Sequence, residues 1–324
     1  MRIGILSTFI FFILAIQCLF SNINVTVDKD IPKYQKVTGV SGSLSSIGSD
    51  SMNNLITLLL EGFQKIYPNV KIQVEGKGSS TAPPALISGT AQLGPMSRPM
   101  KNEEIDKFEE KFGYKPTEIK IALDALAIYV NNSNPMNYIT IAELDAIFSV
   151  NRKGGYKRNI TTWGDIGLKN KYWRDRPISI YGRNSASGTY SFFKEHALFK
   201  GDFKNKVQEL LGSSSVIQGI SNDKYSIGYS GAGFKTTGVK ILGIINQNNS
   251  KPAFPNYDNI LSGNYPLSRF MYLYINNNPQ KESDLLVLEF IKFILSYEGQ
   301  SIVVKDGFLP LTNDLINKEL KVIK

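Results

Sequence analysis

Residues 43–66, SLSSIGSDSMNNLITLLLEGFQKI, join a short β-rich run to a longer stretch with helical periodicity. Ser43–Ile47 is typical of a strand, and Gly48–Ser51 supplies the glycine and the polar residues of a turn. Apolar side chains then recur at helical spacing, at Met52, Leu55, Ile56, Leu59, Phe63 and Ile66. This succession of strand, turn and helix predicts an α/β fold.

The same local pattern occurs twice more. Lys71–Val74 is typical of a strand, Gly76–Ser80 of a loop, and the residues from Thr81 onward of a short helix whose first turn tolerates proline. The third copy runs from the predicted strand Ile178–Tyr181 through Gly182–Thr189 into another helix. The pattern therefore predicts three turns of one design, each at the start of a helix.

Two other segments are predicted to be scaffold. Thr140 and Glu143 form a capping-box pattern at the start of a helix. Ser283 precedes a strongly apolar helix, predicted over Leu285–Tyr297, and Gly299 is expected to end it.

A turn that leads from a strand into a helix presents unpaired backbone amides at the positive end of the helix dipole. Such a turn can bind an anion, and serine or threonine hydroxyls add donors. Helix capping alone is the simpler explanation of any single turn. Micromolar binding needs about 8 kcal/mol, and a hydrogen bond to a charged group is worth roughly 1.5 to 3 kcal/mol. Donors from several turns must therefore converge for the binding hypothesis to hold.

Two arginines lie within or near the turns. Arg183 is inside the third turn, and Arg98 follows Ser97 in a proline-rich segment. A guanidinium fork matches two oxygens of a phosphate-like group. The alternative is an ion pair, of Arg98 with Glu103 or Glu104 and of Arg183 with a surface carboxylate.

Other chemistries have little support in the sequence. Gly76-Lys77-Gly78 lacks the pattern of a nucleotide-binding P-loop. His196 is the only histidine and is predicted to pack or lie at the surface, and no Gly-x-Ser-x-Gly elbow accompanies it. No metal-ligand spacing and no cofactor motif occur.

The net charge of +9 suggests anionic partners or simply a lysine-rich surface. The sequence has no block of basic residues interleaved with aromatics, so it does not indicate binding of nucleic acid.

The first residues differ from the rest of the chain. A basic start at Met1-Arg2 is followed by a nearly unbroken apolar run, and polar residues begin at Ser21. This pattern predicts an export signal over residues 1–21, with cleavage after Ser21. A lipid anchor at Cys18, the only cysteine, is the alternative. Export without disulfides is typical of a bacterial periplasm or cell surface.

At its turns, the chain resembles the periplasmic phosphate-binding proteins of phosphate ABC transporters, within the type 2 periplasmic-binding fold. The segments that carry the resemblance are Gly48–Met52, Gly78–Ala82, Ser97–Met100, Arg183–Thr189, Tyr225–Ser230 and Tyr297–Gln300. They span essentially all of the chain after the signal, and the arginine followed by Ser-Gly-Thr is the most specific part.

The resemblance implies an α/β fold with two lobes and a ligand cleft between them. Residues 22–39 would form a linker, residues 40–122 with 242–324 the first lobe, and residues 123–241 the second. By position, the resemblance implies phosphate contacts at Ser51, Met52, Ser79, Arg183, Ser187, Gly188 and Thr189. Asp50, Ser80 and Arg98, which lie in or near the turns, complete the predicted phosphate site.

Two positions depart from the family pattern. Its well-known members carry an aspartate, which accepts the proton of hydrogen phosphate, where this chain has Ser97-Arg98. They carry another aspartate where this chain has Ser185. Asp50 is the nearest carboxylate that could accept the ligand's proton instead.

The expected function is therefore capture of inorganic phosphate by a non-enzymatic, monomeric periplasmic protein without a cofactor, which delivers the ion to an ABC permease in the inner membrane. Sulfate or molybdate is the alternative ligand. A secreted phosphatase or a surface adhesin on the same scaffold is the alternative function.

Overall fold

The computed structural model describes residues 25–246 and 249–323. The predicted signal segment and Cys18 lie outside the described residues. Among the described helices, none combines the length and the apolar character that crossing a membrane requires.

The described residues contain eleven strands and ten α-helices. The strands are β1 Gly42–Gly48, β2 Val70–Gly76, β3 Leu93–Met96, β4 Thr117–Asn131, β5 Tyr138–Thr140, β6 Ser179–Arg183, β7 Gln208–Leu210, β8 Ser226–Gly231, β9 Val239–Asn246, β10 Asn249–Ala253 and β11 Ser268–Ile275. The helices are α1 Asn53–Ile66, α2 Ala82–Ser88, α3 Asn102–Phe112, α4 Ile141–Phe148, α5 Gly188–His196, α6 Ser213–Asn222, α7 Tyr257–Leu261, α8 Leu285–Ile294, α9 Tyr297–Lys305 and α10 Asn313–Val322. The predicted α/β class is confirmed.

One mixed sheet runs through the molecule in the order β2-β1-β3-β11-β4-β8-β6-β7, with β9 paired to β4, β5 and β10. The pairs β1–β2, β1–β3, β6–β7 and β6–β8 are parallel, so helices connect them. The fifteen-residue strand β4 pairs with β11 over its first part and with β8 and β9 over its last part. This long strand therefore connects the two parallel groups of strands.

The predicted lobe boundaries at 122–123 and 241–242 fall inside β4 and β9. The division into two lobes stays a prediction. The segment predicted as a linker has no helix or strand where it is described, over residues 25–39. It packs closely nevertheless, because the Tyr34 hydroxyl donates to Glu289 at 2.7 Å and the Tyr34 amide donates to Glu298 at 2.8 Å.

The capping box of Thr140 and Glu143 is present at the start of α4, as predicted. The predicted helix over Leu285–Tyr297 begins at Leu285 as predicted, but its predicted end is wrong. Asp284, and not Ser283, caps α8, which stops at Ile294, and Gly299 lies inside α9. A side chain at Gly299 would collide with the carbonyl oxygens of Phe293 and Ile294. This glycine therefore permits close packing of two successive helices instead of ending one.

Gln300 on α9 ties the C-terminal region to the long strand. Its amide nitrogen donates to the carbonyls of Ile121 and Ile294 at 3.1 and 3.0 Å, and its carbonyl oxygen accepts from the Leu311 amide at 2.8 Å. All three bonds are buried. One side chain therefore joins β4, α8 and the segment before α10.

We predict that Gln300→Leu lowers the free energy of unfolding by roughly 2 to 4 kcal/mol, because it leaves three buried backbone groups without partners. Urea unfolding followed by circular dichroism measures the loss. Gln218→Leu, on the exposed face of α6, is the control and should change stability by less than about 0.5 kcal/mol. Equal effects of the two substitutions would contradict the role given to Gln300.

Candidate functional site

The three predicted turns follow the carboxyl ends of parallel strands. The turn after β1 leads into α1, the turn after β2 into α2, and the turn after β6 into α5. Carboxyl ends of parallel strands share one edge of a sheet, where ligands of open α/β folds bind. The structure brings these turns into direct contact.

Contact between the second and third turns is close. The Ser80 amide donates to the carbonyl of Ala186 at 3.2 Å. A side chain at Gly188 would place its first carbon 2.6 Å from Ser97 Oγ and closer still to Ser79 Oγ. Position 188 therefore requires glycine, because the start of α5 lies directly against two serines from the other side of the site.

Arg183, at the end of β6, is a buried cation of the site, with 1% of its surface exposed. Its Nη1 donates to Ser213 Oγ at 2.7 Å and to Ser51 Oγ at 3.3 Å, and its Nη2 donates to the Leu211 carbonyl at 2.6 Å. Nη2 also lies 3.2 Å from Asp50 Oδ2. Burial lowers the pKa of Arg183, and Asp50 opposes this effect.

Three hydroxyls form a chain beside Arg183. Thr189 Oγ1 lies 3.1 Å from Ser51 Oγ, which lies 3.0 Å from Ser213 Oγ. Each hydroxyl carries one proton, and the two links use one proton each. Three hydroxyl protons serve two links, so at least one hydroxyl proton must point elsewhere. Buried Arg183 Nε also lacks a partner among the described residues. The site thus has more donors than acceptors.

The remaining predicted residues have defined places. Ser187 Oγ caps α5 by accepting from the Thr189 amide at 3.1 Å. Met52 is fully buried, and its amide donates to the Ser49 carbonyl at 3.2 Å. Asp50 is partly exposed, and its Oδ2 accepts from the Ser213 amide at 3.2 Å, so it bonds across the site and does not cap α1.

Arg98 is paired with Glu104, one of the two partners considered from the sequence. Its two terminal nitrogens donate to the Glu104 carboxylate at 2.8 and 2.6 Å. Its Nη2 also reaches Ser80 Oγ at 3.2 Å, whereas its buried Nε has no partner among the described residues. Both terminal nitrogens of Arg98 therefore donate to Glu104, and Arg98 is connected to the second turn by its hydrogen bond to Ser80.

Sequence reasoning missed Ser213, although a signal existed. The short strand β7 leads through Gly212 into α6, which begins with Ser213. This is a fourth turn of the same design, and the run of three serines after Gly212 marks it.

The buried pair of Arg269 on β11 and Asp124 on β4 was also missed, and no local sequence motif marks it. Arg269 Nε and Nη2 donate to Asp124 Oδ2 at 2.9 and 2.7 Å, and Nη1 donates to Thr189 Oγ1 at 3.1 Å. Burial raises the pKa of the Asp124 carboxyl, and Arg269 opposes this effect. The pair reaches the site through Thr189.

Each of the three arginines at the site lies within ion-pair distance of a carboxylate: Arg183 with Asp50, Arg98 with Glu104, and Arg269 with Asp124. The side-chain charges of the site therefore nearly cancel. Attraction for an anion depends on the aligned amide, hydroxyl and guanidinium donors.

The residues considered for the competing chemistries have the following surroundings. His196 ends α5 with its ring centroid 4.2 Å from that of Phe192, and burial lowers its pKa. The surface residue Lys77 pairs with Glu75. Within the described part of the chain, no group of three or more potential His, Cys, Asp or Glu ligands is arranged to hold a metal.

Known proteins similar to this chain share its fold. A family model described as a PBP superfamily domain matches residues 35–298. The phosphate-binding protein PstS of Pseudomonas aeruginosa is 50% identical over 295 residues, which are 91% of each chain. PstS of Staphylococcus epidermidis is 31% identical over 81% of this chain and 77% of its own.

Among solved structures, a protein assigned as a phosphate ABC transporter substrate-binding protein of Clostridium perfringens, solved with bound phosphate, has a TM-score of 0.70 at 26% identity. The match covers 84% of this chain and all of that one (100%). A phosphate transport receptor of Vibrio cholerae has a TM-score of 0.64 at 24% identity, over 83% of this chain and 100% of its own. The predicted fold of a periplasmic-binding type is confirmed.

We predict that Glu104→Gln lowers the free energy of unfolding by roughly 1 to 3 kcal/mol, because it leaves the buried Arg98 without its counter-ion. Glu104 is itself partly exposed, at 18% of its side chain, so the loss stays below that of a fully buried pair. Urea unfolding measures the loss. The neighbouring and exposed Glu103→Gln is the matched control and should leave stability within about 0.5 kcal/mol. A stable Glu104→Gln protein would argue that Arg98 finds another acceptor.

Proposed function

We propose that this chain captures inorganic phosphate and delivers it to an ABC-type import permease. The chain belongs to the PBP superfamily and within it to the PstS phosphate-binding proteins. The 50% identity to PstS of Pseudomonas aeruginosa over 91% of both chains supports this function. The observation at the site that carries it is the excess of buried donors around Arg183.

A tetrahedral oxyanion supplies the hydrogen-bond acceptors that this set of residues lacks, because its oxygens accept hydrogen bonds from several directions. The donors come from turns far apart in the chain and include the spare hydroxyl proton and Arg183 Nε. We propose that the ligand contacts lie among the residues predicted from the sequence: Asp50, Ser51, Met52, Ser79, Ser80, Arg98, Arg183, Ser187, Gly188 and Thr189. Ser213 and Arg269 join them as supporting residues.

Phosphate is favoured over sulfate and molybdate by the presence of Asp50. A carboxylate beside a bound dianion repels it unless the ligand has a proton to donate. Asp50 Oδ2 is engaged by Arg183 and the Ser213 amide, so Oδ1 is the oxygen we propose as the acceptor of the ligand's proton. Hydrogen phosphate carries that proton at neutral pH, and sulfate does not.

The contacts also suggest how binding is communicated. Asp50 and Ser51 belong to the predicted first lobe, whereas Arg183, Thr189 and Ser213 belong to the predicted second lobe. An ion held between these groups favours whichever arrangement of the lobes brings them together. We propose that the permease recognises this arrangement, and that the protein works as a monomer exported to the periplasm.

We propose no catalytic step. The His196 ring packs against the Phe192 ring, and His196 lies at the opposite end of α5 from the turn that holds Ser187. A hydrolytic site would need a nucleophile activated by a neighbouring base. Among the described residues, the Ser51, Thr189 and Ser213 hydroxyls form hydrogen bonds with one another and with arginines.

Titration calorimetry of the purified protein with inorganic phosphate, sulfate and molybdate tests this function. Tight binding of phosphate, with sulfate and molybdate at least about tenfold weaker, is expected. Release of phosphate from p-nitrophenyl phosphate, measured on the same sample, would identify a phosphatase instead. A protein that binds none of the three anions would overturn the proposal.

We predict that Arg183→Ala weakens phosphate binding by at least about 2 kcal/mol, or roughly thirtyfold, because a desolvated charged donor is lost from the ligand's surroundings. Calorimetry measures the affinity, and thermal unfolding shows whether the fold persists. Lys77→Ala is the control, since Lys77 is exposed and pairs with Glu75 at the surface. Unchanged affinity of Arg183→Ala would place the ligand elsewhere.

We predict that Asp50→Asn lowers the preference for phosphate over sulfate by about tenfold or more. Asparagine keeps the size of the side chain but has no negative charge. The Asp50 carboxylate repels a fully deprotonated anion such as sulfate and accepts a hydrogen bond from the proton of hydrogen phosphate, and asparagine loses both effects. Competition calorimetry with both anions measures the ratio. A ratio equal to that of the unmodified protein would assign selectivity to another residue.

A further inference from the structure

Arg269 lies where four separate segments of the site meet. Its Nη1 donates to Thr189 Oγ1 at 3.1 Å and to the Ser97 carbonyl at 3.2 Å. Its other two nitrogens donate to Asp124. The face of the guanidinium lies 5.4 Å from the ring centre of Phe192, on the same helix as Thr189. One side chain therefore connects β11, β4, the segment after β3 and the start of α5.

Asp124 fixes the position of this guanidinium. Arg269 and Asp124 are directly opposed in the β4–β11 ladder, and both side chains are at least 97% buried. Because two nitrogens share the single oxygen Asp124 Oδ2, at 2.9 and 2.7 Å, the plane of the guanidinium is set, and Nη1 points toward α5. The charge of Arg269 is balanced at the same time.

The bond from Arg269 determines what the Thr189 hydroxyl can do. An arginine nitrogen can only donate, so Thr189 Oγ1 must use a lone pair for Arg269. Its own proton is then directed to another acceptor, either Ser51 Oγ at 3.1 Å or a bound ion. The hydroxyl chain receives a donor from Arg183 at its Ser213 end and from Arg269 at its Thr189 end.

We propose that Arg269, held by Asp124, is a positioning residue for the anion site: it occupies a lone pair of the Thr189 hydroxyl and thereby directs the proton of that hydroxyl to the bound ligand. This inference rests on the proposed phosphate-binding function. A purely structural role would affect phosphate affinity whether or not the Thr189 hydroxyl is present. Here Arg269 affects affinity by orienting that hydroxyl.

Calorimetry with inorganic phosphate on a double-mutant cycle tests this route. The first change is Asp124→Asn together with Arg269→Gln, which removes both charges and leaves neither partner buried alone. The second change is Thr189→Val, which removes the hydroxyl and keeps the shape. We expect the Asp124–Arg269 change to weaken phosphate binding about tenfold in the unmodified protein and less than about twofold in Thr189→Val.

The matched control replaces an exposed pair of the same residue types, Arg174→Gln with Asp175→Asn, and should leave affinity unchanged. If the Asp124–Arg269 variant does not fold by circular dichroism, Arg269→Lys takes its place in the cycle. Lysine keeps the charge beside Asp124 but lacks the fork that reaches Thr189, so the same loss and the same dependence on Thr189 are expected.

Two results would overturn the proposal: unchanged affinity, or an equal loss with and without the Thr189 hydroxyl. Failure of the unmodified protein to bind phosphate would be a different outcome, because it would refute the proposed function itself.

Discussion

Burial of the Arg183 guanidinium is the constraint on which the rest of the site depends. A guanidinium stays charged in the interior, and an unpaired buried charge is strongly destabilising. Acceptors must therefore come to it from elsewhere in the chain. They come from Asp50 and Ser51 in the turn after β1 and from Leu211 and Ser213 before and at the start of α6. Satisfying one cation thus holds together segments that are distant in sequence.

The same constraint explains why the site does not rely on net charge. If the arginines were unpaired, any anion would be attracted and discrimination would be weak. Here each arginine lies near a carboxylate, so attraction depends on the direction of donors, and those directions are set by turns and helix starts. The overall charge of +9 lies on a chain whose site is nearly balanced. In the proposed function, long-range attraction of an anion and its local selection therefore have separate physical origins.

The turns could be predicted from the sequence because strand, glycine or serine turn, and helix start are local patterns. The first turn and α1 lie within one or two residues of the prediction, and so does the start of α5. The end of α8 was misjudged because Gly299 serves packing against α8, which depends on a tertiary contact. Between Glu103 and Glu104 the sequence could not decide. The structure favours Glu104 because its carboxylate also accepts from the Lys101 amide at the start of α3.

Arg269 marks the limit of such reasoning. Its neighbours in sequence form an ordinary strand, and its partner Asp124 lies on another strand whose register depends on the whole sheet. Only once that register is known does Nη1 come within reach of Thr189. The chain of Thr189, Ser51 and Ser213 hydroxyls then has an arginine donor at each end, and the hydroxyl protons point away from the two arginines. The polarity of the proposed anion site is therefore set partly by β4 and β11, the paired strands that join the two sides of the sheet, and only partly by the turns that the sequence reveals.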